Sequence, residues 1–168
     1  MSYQNNDGII MNIFLLDHDI NLCAQAHGNK HVVKMITEYN QLLSTACHVF
    51  GLATEDMYRQ THVNHPSAVW VRESKANFEY LLELNMALLD EYTHRYGKVH
   101  AGSRLIPLFI DVLDKIPDGK GELTPFVAVL PGRVVHNADT VQLYRELYMT
   151  EKRNLAEWKN RNQPEWFV

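Results

Sequence analysis

The sequence predicts a mainly α-helical fold, a compact single domain with a short extended N-terminal segment and a proline-containing strap. Its 168 residues, 46% of them hydrophobic, can bury one core without disulfides or metals. Apolar residues recur at helical spacing over most of the chain, whereas residues 9–16 and 123–135 favour extended structure. We therefore expect residues 1–10 to be a loose extension and residues 11–168 to form a single helical domain.

Residues 19–50 are predicted to form one long amphipathic helix. Asp17 or Asp19 can cap its N-terminus, and Gly51 follows the last apolar residue of the pattern. Gly28 is a weak point inside this helix, because a glycine there costs up to about 1 kcal/mol relative to alanine. It marks the place for a bend or a break.

Two further helices and a turn are predicted in the middle of the chain. Ser67 can cap a second helix that runs to about Tyr96, and Gly97 ends it. A shorter helix is expected over residues 103–115, before a turn-rich loop at residues 117–121.

The C-terminal third begins with the strap and ends with a helix. Residues 123–135 contain two prolines, so we expect an extended segment with little regular structure. Asn137 or Asp139 caps a last helix that runs to about Lys159.

Charge and cysteine usage limit the classes of partner. The net charge is −4, so no general positive field attracts a polyanion, and a nucleic-acid contact would need a local basic patch. Cys23 and Cys47 lie in the same predicted helix, about 36 Å apart at 1.5 Å per residue, and cannot form a disulfide with each other. Two free thiols suggest a reducing, cytoplasmic environment, and no apolar run is long enough for a membrane span.

A polar stripe on the predicted first helix is the main candidate for a functional site. At 100° per residue its members fall within an arc about 100° wide, opposite the apolar face. They are His27, His31, Lys34, Glu38, Gln41, Thr45 and His48. Solvated faces usually carry long lysine and glutamate side chains, whereas this stripe has three histidines, which act as acids, bases or metal ligands. We take His31, Lys34 and Glu38 as the catalytic candidates.

The loop before the second helix is a candidate for substrate binding. His62, Asn64 and His65 precede Pro66, so a helix N-terminus with free N–H groups would follow them. Such an arrangement suits a phosphate or carboxylate. An ordinary turn, with Asn64 bonding to its own backbone, explains the same residues equally well.

The second helix and the basic segment after it add further substrate-binding candidates. These are Arg72, Glu73, Asn77, Arg95, Lys98 and His100. Glu91 and Arg95 are four residues apart, so an internal ion pair is the favoured explanation for that arginine, with a phosphate contact as the alternative. Glu73 and Asn77 have no such local partner and are expected to face the first helix.

Several well-known site motifs are absent from the sequence. It has no glycine-rich phosphate loop, no Cys-x-x-Cys pair, no His-Glu-x-x-His helix and no Gly-x-Ser-x-Gly elbow. The spacing of His27 and His31 permits a metal site shared with His62 or His65, which Glu38 or Asp17 could complete. We keep this as an alternative and expect no cofactor.

The order of these features resembles the pyrimidine-dimer DNA glycosylases of the endonuclease V type. The similarity rests on a short apolar N-terminal segment, His31 followed by Glu38, Asn64-His65-Pro66, and Gln163-Pro164-Glu165-Trp166 near the C-terminus. The resemblance implies cleavage of the N-glycosidic bond of a damaged or modified base by an amine and a glutamate, followed by strand nicking through a Schiff base. Glu38 matches the glutamate of that family.

The nucleophile of that family has no direct match in this chain. It is the amine of the residue after the initiator methionine, whereas the comparable segment here begins near Met11 and loss of Met1 would expose Ser2. Lys34, one turn from Glu38, is the nearest alternative amine.

The expected function is therefore an enzyme that acts on a nucleic-acid base or nucleotide, a glycosylase or lyase of DNA repair or modification with DNA or a nucleotide as partner. The alternatives are a metal-dependent hydrolase that uses His27, His31 and His65, and a non-catalytic module that binds a nucleotide or a protein.

Overall fold

The computed structural model describes residues 11–168, and the predicted mainly α-helical fold is confirmed. Its α-helices are α1 (Ile20–Ala26), α2 (Asn29–Val49), α3 (Pro66–Val71), α4 (Lys75–Tyr96), α5 (Ile106–Val112) and α6 (Thr140–Met149). Short 3-10 helices cover Ala101–Leu105, Leu113–Lys115 and Arg153–Leu155, and the strands are β1 (Val127–Leu130) and β2 (Arg133–His136). The predicted loose extension, residues 1–10, lies outside the described residues, so the division of the chain at residue 10 stays a prediction.

The predicted single helix over residues 19–50 is wrong, because the chain breaks between α1 and α2 at the glycine that was singled out. His27 and Gly28 both have extended backbone angles. The N–H of Gly28 donates to the hydroxyl of Tyr148 at 3.1 Å, and the N–H of Asn29 donates to the carbonyl of Glu157 at 2.8 Å. These partners from the C-terminal part of the chain replace the hydrogen bonds that would have continued the helix.

Helix α2 lies at the centre of the core and packs chiefly against α4 and α3. Val32, Ile36 and Tyr39 are completely buried on its inner side. Residues 11–16 are buried against it in irregular structure, and the N–H of Phe14 donates to the Tyr39 hydroxyl at 3.1 Å. The expected buried N-terminal segment is thus confirmed from residue 11 onward, although it pairs with no strand in the described part of the chain.

The predicted second helix is divided into α3 and α4. His65, rather than Ser67, caps α3, since its Nδ1 accepts from the N–H of Ser67 at 3.1 Å. Ser74 caps α4 and also pairs with Gly119 in an isolated antiparallel bridge, so the chain is extended where the helix was expected to continue. Gly97 ends α4 with φ at +68°, as predicted.

The strap is more regular than expected, because its second half is a β-hairpin. Val127 pairs with His136 and Leu130 with Arg133 in an antiparallel register. Pro131 and Gly132 form the turn, where Gly132 has φ at +73°, so the proline removes no donor from the ladder.

The last helix is shorter than predicted. Asp139 caps α6 as expected, but α6 ends at Met149 and not near Lys159. The chain beyond it turns back across the molecule, where Trp158 Nε1 donates to the carbonyl of Ala26 at 2.8 Å. This long-range contact requires the irregular path that replaces the predicted helix.

The helix expected over residues 103–115 is present as α5 with a 3-10 turn at each end. Among residues 11–168, no helix combines the length and the apolar character that crossing a membrane would require.

Candidate functional site

The polar stripe that was singled out in the sequence is not a solvated face. Its buried members are His27, His31, Glu38 and Thr45, and its half-exposed members are Lys34, Gln41 and His48. Because His27 lies in the break, the stripe on α2 begins at His31. Buried polar side chains need partners or a functional reason, and the contacts of each candidate distinguish the two.

His27 is a structural residue of the core. Its Nδ1 donates to the carbonyl of Cys23 at 2.7 Å, so its Nε2 is the acceptor for the Tyr39 hydroxyl at 2.8 Å. Burial first, and then the nearby charge of Arg95, lower the pKa of His27 to about 4. Both ring nitrogens are therefore occupied within the protein.

His31 is a neutral, buried imidazole. Its ring stacks on Phe14 with centroids 4.2 Å apart, and its Nδ1 is hydrogen-bonded to the Tyr148 hydroxyl. Burial first, and then neighbouring charges that include Lys152 and Lys34, lower its pKa to about 3. Its Nε2 has no hydrogen-bond partner among residues 11–168, and the residue lines a narrow crevice on the surface.

Glu38 is the most unusual group of the stripe. It is 7% exposed, and its Oε2 makes no hydrogen bond within residues 11–168. Burial raises the pKa of this carboxyl, and the charge of Lys34, four residues earlier on α2, lowers it in part. A carboxyl of this kind holds its proton to higher pH than an exposed glutamate, which suits a general acid or base.

Lys34 lies one turn from Glu38 and is half-exposed. Its ammonium makes no hydrogen bond or ion pair with the described residues, and it acts on Glu38 and His31 through its charge. The three predicted catalytic residues thus share one side of α2, and His31 and Glu38 are separated by about 10 Å along its axis at 1.5 Å per residue.

The loop candidates form a turn before α3. His65 is buried and accepts the Ser67 N–H, and burial, followed by the charge of His62, lowers its pKa to about 4. His62 is exposed, has φ at +50°, and bonds through Nδ1 to the Thr61 hydroxyl at 2.7 Å. Asn64 is also exposed.

The candidates between α3 and the first turn of α4 bind neighbouring segments rather than the histidines of α2. Arg72 donates to the carbonyl of Val63 at 2.6 Å. Asn77 bonds to Thr124 through both its amide nitrogen and its oxygen, and Glu73 accepts from the Thr124 hydroxyl at 2.9 Å. The expectation that Glu73 and Asn77 orient the first helix is therefore wrong.

Arg95 belongs to a buried ion cluster. Its Nε and Nη2 donate to Glu91 at 3.3 and 3.2 Å, its Nη1 to Asn29 at 3.1 Å, and its Nη2 to the carbonyl of Gln25 at 2.9 Å. Arg161 contacts the same carboxylate of Glu91 at 2.9 Å. The favoured internal ion pair is present, and Arg95 joins α4 to the break between α1 and α2.

In the basic segment after α4, one candidate makes structural hydrogen bonds and the other is exposed to solvent. His100 is the N-cap of a 3-10 helix, with Nδ1 accepting from Gly102 and Nε2 donating to the carbonyl of Val33 at 3.2 Å. Burial lowers the pKa of His100. Lys98 is exposed.

The histidines of the metal alternative do not form a ligand set. Across residues 11–168, no three His, Cys, Asp or Glu side chains are grouped so that they could hold a metal ion. His27 uses both ring nitrogens, and His65 uses Nδ1 in a helix cap.

Two features near these residues have no signal in the sequence. The first is the pair of buried hydroxyl groups of Tyr148 and Tyr39, which hydrogen-bond to His31 and His27. A cleft formed with the C-terminal segment, in which Arg161 and Trp166 take part, was also missed.

Comparison of the chain with protein-family models, with curated proteins and with solved structures gave no match. The resemblance to the pyrimidine-dimer DNA glycosylases accordingly stays a prediction.

Proposed function

We propose that this protein is an enzyme that cleaves the N-glycosidic bond of a base in DNA or in a nucleotide, with Glu38 as its acid and base. The observation that carries the proposal is the buried Glu38 carboxyl, whose Oε2 has no hydrogen-bond partner among the described residues. Burying an unpaired carboxyl destabilises a fold, so its presence on the central helix calls for a functional reason.

The chemistry of the bond matches what Glu38 can supply. A base leaves C1′ with the electron pair of the glycosidic bond, and protonation of that base by a carboxylic acid lowers the barrier. The pKa of Glu38 is raised by burial, which keeps the acid form available at higher pH. The carboxylate that remains can then accept a proton from the attacking group.

Lys34 is the proposed amine for a Schiff-base step. Its neutral amine would attack C1′ as the base leaves. The nitrogen of the new C1′–N bond is then positively charged, and Glu38 would accept a proton from it. Opening of the C1′–O4′ bond, with the sugar oxygen taking a proton, then converts the C1′–N bond to an imine. The support for this step is that Lys34 is half-exposed, one turn from Glu38, and unpaired within the described chain.

The net negative charge of the chain favours a small area of contact with the substrate. The net charge is −4, and an extended duplex contact depends on many phosphate neutralisations. Lys30 and Lys34 follow each other on adjacent turns of α2 and supply a local positive patch. A nucleotide or a short deformed stretch of DNA therefore suits this site.

The test of the acid-base role is release of free base from oligonucleotides and nucleotides that carry modified bases, measured by chromatography. Glu38→Gln, which keeps the shape of the side chain, should lower the rate about 100- to 10,000-fold. Glu83→Gln, an exposed position on α4, is the matched control and should keep the wild-type rate. A Glu38→Gln variant with more than half of the wild-type rate, or a wild-type protein that releases no base from the panel, contradicts the proposal.

The test of the Schiff-base step is borohydride trapping followed by peptide mass spectrometry. Covalent capture at Lys34 is expected, and Lys34→Met should abolish it, whereas the exposed Lys30→Met should not. If neither Lys34 nor the N-terminal amine is ever captured, the covalent step is wrong.

A further inference from the structure

A cleft of about 1030 Å³ lies between the C-terminal segment and the ends of α1 and α4. Glu38, Lys34 and His31 do not line it, and no residue predicted from the sequence as catalytic or substrate-binding does. Its volume is that of a small-molecule site and is far larger than an inorganic ion requires. We propose that this cleft binds an aromatic organic phosphate of nucleotide size, the phosphate on Arg161 and the ring against an apolar wall.

Arg161 presents a guanidinium that is already oriented. Its Nε and Nη2 bind the carboxylate of Glu91, which also binds Arg95, so two arginines share one carboxylate and the cluster keeps one positive charge. The Nη1 of Arg161 has no hydrogen-bond partner among residues 11–168, and the side chain lines the cleft. A planar guanidinium fixed on one edge binds a phosphate oxygen with little loss of side-chain entropy.

A second arginine lies in the lining of the cleft, and a neighbouring carboxylate balances its charge. Arg145 donates to the carbonyl of Leu16 at 2.8 Å and to Asp17 at 3.1 Å, and its guanidinium lies 5.3 Å from the centre of the Trp166 ring. These contacts fix the indole of Trp166 in the lining of the cleft.

The rest of the lining fits the other parts of a nucleotide. Leu22 is half-exposed and offers apolar surface to a flat ring. Gln25 and Asn162 are amide side chains that can bond the edge of a base, and Glu165, which makes no ion pair within the described residues, can accept from sugar hydroxyls. Cation, apolar wall, amides and carboxylate together favour a nucleoside phosphate over a purely anionic or purely apolar ligand.

The proposal is tested by calorimetric titration of the full chain with adenosine and thymidine monophosphates, with the two nucleosides and with inorganic phosphate. We expect at least one monophosphate to bind with a Kd below about 1 mM, and both its nucleoside and phosphate alone to bind at least about tenfold more weakly. Equal binding of inorganic phosphate and the monophosphates, or no binding of either monophosphate, overturns it.

Two pairs of variants place the site. Arg161→Gln should weaken binding about tenfold, whereas Arg133→Gln, an exposed arginine on β2, makes the same charge change and should not. Leu22→Glu puts a carboxylate into the cleft and should abolish binding, whereas Ile110→Glu on α5, equally 50% exposed, should leave it intact. Unchanged affinity in both Arg161→Gln and Leu22→Glu would mean that the nucleotide binds elsewhere, which overturns the assignment. Because Leu22 is on the surface, that arm does not depend on the buried ion cluster.

The source of the nucleotide is decided by the same titration with a single-stranded tetranucleotide. Tighter binding of the tetranucleotide assigns the cleft to a nucleotide within a strand, and tighter binding of a monophosphate assigns it to a free nucleotide. Binding at this cleft is measured by calorimetry and the proposed glycosidic activity by release of base, so a failure of one and a failure of the other are distinguishable.

Discussion

The buried ion cluster of Glu91, Arg95 and Arg161 should respond asymmetrically to the loss of its members. The Arg95 and Glu91 side chains are 0% and 2% exposed, whereas Arg161 is 31% exposed. In Arg95→Met, Glu91 keeps Arg161 as a partner, so no charge is left alone. In Glu91→Met, the guanidinium of Arg95 remains buried without a counter-ion.

The contacts of each variant set the expected magnitudes. Arg95→Met removes four hydrogen bonds, but Asn29 Oδ1 still accepts from the N–H of Lys159, and we expect a loss of about 1–3 kcal/mol in the free energy of unfolding. Glu91→Met leaves a buried cation without a counter-ion, for which the loss in the free energy of unfolding is about 3–5 kcal/mol. The double variant should lose less than the sum of the two by about 2 kcal/mol, because it removes both charges together.

Urea unfolding at pH 7, followed by circular dichroism, measures all three variants. For a chain of this length, the difference between the single variants corresponds to several degrees in Tm. A loss in Glu91→Met no larger than that in Arg95→Met, or two losses that add within about 0.5 kcal/mol, would refute this description of the ion cluster.

Two further predictions concern pH and backbone geometry. The pKa values of His27, His31 and His65 are lowered to about 4, about 3 and about 4, so the unfolded chain binds protons that the folded chain does not. The lowered pKa of His100 acts in the same sense, and the free energy of unfolding should fall as pH decreases from 6.5 to 5. The raised pKa of Glu38 acts in the opposite sense above pH 4.5, so the net slope should lie between about one and three protons, and a slope of zero in pH-dependent urea unfolding would contradict it. Gly119→Ala should lower the unfolding free energy more than Gly121→Ala by at least about 1 kcal/mol, because both have positive φ but only a Cβ at Gly119 would lie 2.2 Å from a carbonyl oxygen, and equal losses would contradict that contact.

Local signals in the sequence were sufficient for much of the helical framework. Gly97 and Asp139 end and begin their helices as predicted, because the left-handed glycine and the aspartate cap act on neighbouring residues alone. The break at Gly28 could be suspected but not established, since it depends on Tyr148, 120 residues away. The hairpin was missed because the prolines of this segment indicated no regular pairing, whereas Pro125 and Pro131 both lie outside the paired positions.

For the candidate site as well, local signals predicted some features, and long-range contacts determined the rest. Helical periodicity was enough to place Lys34 and Glu38 on one side of α2. The burial of His31 could not be read from that helix, because residues 11–16 and the C-terminal part of the chain cover its N-terminal end, as the contacts of His31 with Phe14 and Tyr148 show. The stripe on α2 is therefore partly internal: His31, Glu38 and Thr45 are buried, and Lys34, Gln41 and His48 are half-exposed.

The measurement that tests the role of Glu38 most directly is its own titration, followed by NMR of the side-chain carboxyl carbon in selectively labelled protein. The account predicts a pKa above the ordinary value of 4.5, and a still higher pKa in Lys34→Met, because the lysine charge stabilises the carboxylate. A pKa at or below 4.5, or one that Lys34→Met leaves unchanged, would contradict the account of Glu38 as a buried acid-base group beside Lys34.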